Sequence, residues 1–296
     1  MTDLLKPKID LVFKAIFGSE QSLDILESFL RAVLSIPRNR KISITIKDPF
    51  TKLEKINDKY AIIDLVVETD DEMILTEIQL NHDPAMTDRI LFGMSKAITN
   101  QKNQGDSYRL KKVVAIVITD YKIIKTHNIY HDTFRYHSVK TGHTFSKSTE
   151  IHTLELPKLP IKSDDTILYY WLKFIKAENR KELEMIAQKD PAIEKALFKL
   201  EELSSDEKFR KEAHNRAMME WSINARLHEA AQQGLEQGLE QGLEQGLEQG
   251  LEQGLEQGKI EATIAMINDN VALETIAKYV QMPISWLEEI KEKYLS

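Results

Sequence analysis

The sequence contains no cysteine, which excludes a disulfide framework and every thiolate metal site. Long hydrophobic runs are missing as well. No apolar stretch approaches the ~18 residues expected of a membrane-spanning helix, so a membrane is not among the expected partners. The opening "MTDLLKPKID" lacks the apolar core of a secretory signal. These absences favour the cytoplasm. What is present is the composition of a soluble globular protein, 42% hydrophobic and 29% charged. A chain of 296 residues suits two domains, one of them small.

The net charge of −7 is unevenly spread. Residues 1–160 carry +2 and the remainder −9, so the front is slightly basic and the back acidic. The overall sign argues superficially against a nucleic-acid partner, but the front part escapes that argument. Its loop "IPRNRK" concentrates Arg38, Arg40 and Lys41, either as phosphate contacts or as an ordinary solvated loop.

The stretch "KYAIIDLVVETDDEMILTEIQL", residues 59–80, reads as two β-branched runs around an acidic turn. A two-residue turn at Asp70-Asp71 predicts a register in which partner numbers sum to 141. Asp64 then opposes Glu77, and Gln79 lies on the same face. Ile63, Leu65, Val67, Ile74, Thr76 and Ile78 take the other face. Like charges opposed across strands destabilise the pair. Two readings follow. A hard divalent cation sits between the carboxylates, or the face is solvated and polar in the ordinary way of antiparallel strands.

Around the hairpin, "KIDLVFKAIFG" predicts a short helix stopped by a left-handed Gly18. "SLDILESFLRAVLSI" predicts a second helix ending before Pro37. "KISITIKD" alternates like a strand. "NHDPAMTDRILFGMSKAITNQKNQG" opens a helix capped by Asp83, with Pro84 in its first turn and Gly105 past its end. "KKVVAIVITD" has the pattern of a fully buried strand. Weaker β patterns run from Ile123 to Leu159. Six of the eight histidines fall between His82 and His152. His127 and His131 have the i, i+4 spacing of a zinc pair, but without a helical pattern or cysteines they read as strand and loop residues.

From Thr166 onward the pattern is helical, with Trp171 and Trp221 as packing anchors. The low-complexity segment 234–258 repeats Gly-Leu-Glu-Gln and reads as an assembly helix or a flexible spacer. The last stretch, 259–296, predicts three short helices. Its "LETIAKYVQMPISWLEEIKE" has the general pattern of a DNA-binding helix-turn-helix, but three Glu in the last helix suit phosphates poorly, and a packing module fits better.

The blocks "IDLVFKAIFG", "AIIDLVVET", "TEIQL", "TDRILFGMSKAI", "GDSYRLKKVVAIVI" and "IHTLELPKL", in this order over residues 8–160, resemble the Rpn family of recombination-promoting, transposase-like nucleases in the PD-(D/E)XK superfamily. The Gly-Leu-Glu-Gln tail is similar to tails in that family. The resemblance implies an α/β fold with a restriction-endonuclease-like core (helix, three-stranded antiparallel meander, helix, strand) and a helical C-terminal region. The expected parts are a nuclease-like domain at 1–160, a helical extension at 161–233, the repeat at 234–258 and a three-helix module at 259–296. Asp64 and Glu77 match the two catalytic acids that would clamp Mg²⁺, or Mn²⁺ in its place, with the Ile78 carbonyl as a third ligand. Gln79 stands where the superfamily usually has lysine. Asp10 matches an acid on the first helix, with an Asp10–Lys14 ion pair as the plainer reading. Arg89 matches a basic residue on the following helix, as a phosphate contact or a helix–sheet salt bridge.

The function this implies is a metal-dependent DNA endonuclease acting in recombination, mobile elements or defence. The expected partners are DNA and a second copy joined through the C-terminal helical and repeat region. The alternative is a nuclease-fold protein of weak or no activity that binds DNA or assembles. Gln79 in place of lysine keeps that alternative open.

Overall fold

The computed structural model describes residues 4–47, 64–101 and 110–295. The expected first strand residues 59–63 and Gly105 lie outside them. The chain divides into two compact units, Met1–Trp221 and Ser222–Ser296.

The first unit is an α/β structure around a mixed six-stranded sheet of order β1-β2-β3-β4-β6-β5. The strands are β1 (Thr45–Lys47), β2 (Leu65–Glu68), β3 (Glu72–Gln79), β4 (Lys112–Thr119), β5 (His131–His137) and β6 (Thr144–Glu155). β1 pairs antiparallel with β2, and β2 with β3. β4 lies parallel to both β3 and β6, and β5 closes the far edge antiparallel. The β2–β3 partners, Leu65 with Thr76 through Glu68 with Met73, keep the expected sum of 141. The Thr69 N–H donates to the Glu72 carbonyl at 2.8 Å and closes the Asp70-Asp71 turn.

Both faces of the sheet are covered, which is why β4 reads as an unbroken apolar run. Val114, Ile116 and Ile118 point to one face, with Leu65, Val67, Ile74 and Ile78. That face packs on α1 (Asp10–Phe17), α2 (Leu23–Leu34), α4 (Ile167–Lys176), α5 (Arg180–Ala187) and α6 (Pro191–Ser205). Trp171 is fully buried there among Phe17, Phe29 and Phe174, and its indole N–H donates to Ser28 Oγ at 3.2 Å. Val113, Ala115 and Val117 face the other way and meet Met86, Ile90 and Met94 of α3 (Met86–Thr99).

Two helix ends differ from expectation. Gly18 is not left-handed, with φ −96°. Glycine is required there by close approach, since an added Cβ would lie 2.7 Å from the Lys14 carbonyl oxygen. Asp83 does not cap α3, which starts at Met86 after Ala85. Its carboxylate instead accepts the Ala85 N–H at 2.9 Å, shaping the approach to the helix.

α7 runs Glu207–Asn268, and the repeat is helical throughout. Trp221, expected as an anchor, is 67% exposed. The six repeat leucines, Leu235 to Leu255, are 60–75% exposed, and a Cβ at any repeat glycine would meet nothing within 4 Å. In the second unit the end of α7, α8 (Leu273–Val280) and α9 (Ile284–Leu295) share a small core of Ile276, Val280 and Leu287. Gln281 turns the chain between α8 and α9 with φ 54°.

Candidate active site

Two strands deliver the acids. Asp64 immediately precedes β2, one position before the Leu65–Thr76 pair, and Glu77 follows Thr76 on β3. Glu77 shares its strand face with Leu75, under α3, and Gln79 follows two residues later at intermediate exposure. Alternation on β3 therefore places an acid in a wall that is otherwise apolar.

Each carboxylate has its own cation. Lys14 of α1 brings Nζ to 2.8 Å from Asp64 Oδ1, while Asp64 Oδ2 accepts the Ile78 N–H at 2.7 Å. Arg89 of α3 forks between Glu77 Oε1 at 2.5 Å and Asp83 Oδ2 at 2.7 Å. Glu77 Oε2 is buried, and among the described residues it has no hydrogen-bond partner. A buried acceptor left in this state costs about 1–3 kcal/mol.

The electrostatics follow from this crowding. Burial, then repulsion from Asp64, push Glu77 up to about 8 against the pull of Arg89 and Lys14. Burial also raises Asp64, with a contribution from Asp10, while Lys14 and the Ile78 N–H oppose the shift. Asp10 is buried at the start of α1. It does not pair with Lys14 as its spacing allows. Its Oδ2 meets Nε of Arg216, from α7, at 2.8 Å.

Asp10, Asp64, Glu77 and Arg89 thus form one charged cluster with Lys14, whose spacing in the sequence marks it only as a helix partner of Asp10. Arg38 and Arg40 lie elsewhere. Arg40 pairs with Asp71 at 2.8 Å, in the turn at the opposite end of the β2–β3 hairpin. Arg38 lines a separate cavity of about 500 Å³ beside α2 and Lys195. The histidine pair does not converge: His127 faces Asp132 at 3.2 Å and His131 faces His152 at 2.9 Å.

Among the described residues, no group of three or more His, Asp or Glu side chains is gathered to hold an ion. The donors at Asp64 and Glu77 nevertheless suit a hard divalent cation, for the two carboxylates lie close enough to repel and one oxygen is buried without a partner.

A family model described as PD-(D/E)XK nuclease family transposase matches residues 7–230. No curated protein and no solved structure gives a significant match. The match spans the whole sheet, the helices packed on it and the start of α7, so the chain belongs to the PD-(D/E)XK nuclease family transposases.

Proposed function

We propose that this protein is a metal-dependent DNA endonuclease that hydrolyses phosphodiester bonds in recombination, mobile-element movement or defence. One observation carries the proposal: the largely covered Asp64 side chain lies beside the buried Glu77, with Glu77 Oε2 left unpartnered. The antiparallel pairing of β1, β2 and β3 between α1 and α3 supports reading this segment as a restriction-endonuclease-like meander, and residues 1–160 as the nuclease-like part.

Asp64, Glu77 and the Ile78 carbonyl would hold Mg²⁺ or Mn²⁺. When bound, the ion lowers the pKa of a water and polarises a phosphate oxygen. The remaining work belongs to the chain. Lys14 favours the ionised form of Asp64 against its burial and supplies an ammonium beside the acids, a charge that the Gln79 amide lacks. Gln79 orients water or phosphate by hydrogen bonding. Asp10, steadied by Arg216, holds a water on the α1 side. Arg89 keeps Glu77 in place and offers its remaining donors to a phosphate. Arg38 and Arg40 contact the DNA backbone away from the cleaved bond. The exposed leucines of the repeat support self-association through α7.

A second reading is a nuclease fold kept for DNA binding or assembly. It is favoured by the two ion pairs, Lys14–Asp64 and Arg89–Glu77, which neutralise both acids without any metal. Plasmid DNA incubated with purified protein decides between them. Nicking or linearisation with Mg²⁺, none with EDTA and none with Asp64→Asn support the nuclease. Intact plasmid with every divalent cation tried, or equal cutting by Asp64→Asn, sinks it.

A further inference from the structure

β6 is longer than the sheet needs. Its pairing with β4 begins at Thr149, opposite Val113, so Thr144–Ser148 reach past the edge of β4. Of these, Ser146 and Thr144 pair with Tyr136 and His137 of β5 across an irregular register, giving a short two-stranded ribbon beyond β4. The tip is closed by the Ser138 N–H on the His143 carbonyl and the Gly142 N–H on the Ser138 carbonyl, each 2.8 Å. Gly142 has φ +69°, a conformation that suits glycine.

The side chains on this ribbon are unusual for a free surface. Phe145 is 88% and Tyr136 55% exposed. Phe134 and Tyr136 reach back to Leu91 and Met94 of α3 and line a cavity of about 100 Å³ with them. Arg135 is paired with Glu150 at 2.7 Å, which leaves Lys140 and Lys147 as the cations beyond it, in a chain whose net charge is −7. Lys140 and Lys147 are exposed.

We propose that the β5–β6 ribbon is a binding wing for single-stranded DNA, with Tyr136 and Phe145 stacking on unpaired bases and Lys140 and Lys147 meeting phosphates. The inference rests on the reading that the chain acts on DNA. The charge pattern selects a polyanion. A second copy suits the ribbon poorly, because a symmetric contact would set the same cations against each other, and the register shifts between Phe134 and His137 disturb the β5 edge that a partner strand would need. The aromatic faces select unpaired bases, since stacking is open to every base once it leaves the duplex.

The wing is connected to the acids through the sheet. Phe134 pairs with Ile151, Ile151 with Ala115 and Ala115 with Leu75, two residues before Glu77. Tyr136 pairs with Ser146, short of the Thr149–Val113–Met73 row, so the stacking residues leave the sheet at the end away from Glu77.

The test is fluorescence anisotropy of the full-length chain in EDTA, where no cutting occurs, with a labelled oligothymidine and with a duplex of equal length. The single strand should bind more tightly. Tyr136→Ala with Phe145→Ala should weaken it about tenfold or more at unchanged melting temperature. Lys140→Gln with Lys147→Gln should reduce the salt dependence by about 0.7 per lysine. Unchanged affinity in both double variants overturns the proposal. So does a preference for the duplex, a fall in oligomer mass in the aromatic variant, or loss of binding to anionic vesicles with no loss of DNA binding. Cleavage is read separately. A chain that cuts plasmid but binds strands equally in wild type and variants loses only the wing. A chain that binds through the wing and never cuts loses only the nuclease.

Discussion

Lys14 reaches from the first helix to within 2.8 Å of Asp64, a residue fifty positions later that no helical spacing connects to it. On the proposed reading Gln79 stands where the superfamily usually has lysine, and its amide carries no charge. The ammonium beside the acids therefore enters from the helix layer. Lys14→Ala should slow single-turnover cleavage by about 10²–10³, the range seen when one preorganised stabilising donor is removed. Adding Gln79→Lys to that variant should restore part of the rate. A double variant as slow as the single one would show that Lys14 serves only to stabilise Asp64.

The Glu77 carboxyl gives a pH signature to the metal-free protein. Its folded value, about 8, lies above the ordinary 4.5, so the folded state binds more protons than the unfolded state between those values. Stability should then be greatest at the acid side of this window and decline as pH rises through it. Thermal melts in EDTA from pH 5 to 8 should show a falling melting temperature. Glu77→Gln should flatten the trend, and so should Mg²⁺, whose charge favours the carboxylate. A melting temperature that climbs over this range would contradict the assignment.

Asp64 should be replaced with its hydrogen bond in mind. Asp64→Asn keeps an acceptor for the Ile78 N–H, whereas Asp64→Ala leaves that buried donor unpaired. Asp64→Asn should abolish cleavage while the metal-free protein melts within a few degrees of wild type. Asp64→Ala should lose about 1–3 kcal/mol more, as measured by urea unfolding.

Gly18→Ala should destabilise by about 1–3 kcal/mol, because the new methyl meets the Lys14 carbonyl at 2.7 Å and the backbone must shift. The shift occurs one turn from the residue that holds Asp64. Loss of cleavage beyond what the urea midpoint explains would be the expected result.

In the repeat, replacing the seven glycines with alanine should raise helicity and melting temperature by circular dichroism. Each substitution adds about 1 kcal/mol of helix propensity, and none meets an obstacle. Light scattering of the full chain against one ending at Gln233 should show a smaller assembly for the shorter chain. Equal masses would remove the repeat from any role in association.

Much of the hairpin was legible because local rules act there alone. The Asp70-Asp71 turn and the two-residue alternation together determine a register, and that register puts Asp64 across from Glu77. The partners of those acids were not legible. Spacing joined Asp10 to Lys14 along one helix, yet Asp10 takes Arg216 and Lys14 takes Asp64, and both choices follow from how distant elements dock. Arg40 has the chemistry of a phosphate contact, and its pairing with Asp71 in the hairpin turn was not legible either. The apolar stripes of the helices after Thr166 say only that something is covered. Trp171 lying against Phe17 shows that what they cover is the sheet's own helix layer.

The four-residue period of the long helix has an arithmetic consequence. Four residues advance an α-helix by about 6 Å and by one turn plus about 40°. Every copy of the unit is chemically identical to the next, so adding or removing one leaves all local surroundings as they were. Only the azimuth and height of the last leucine change. The repeat is therefore a screw thread whose copy number sets phase, and variation in that number alters direction before it alters stability.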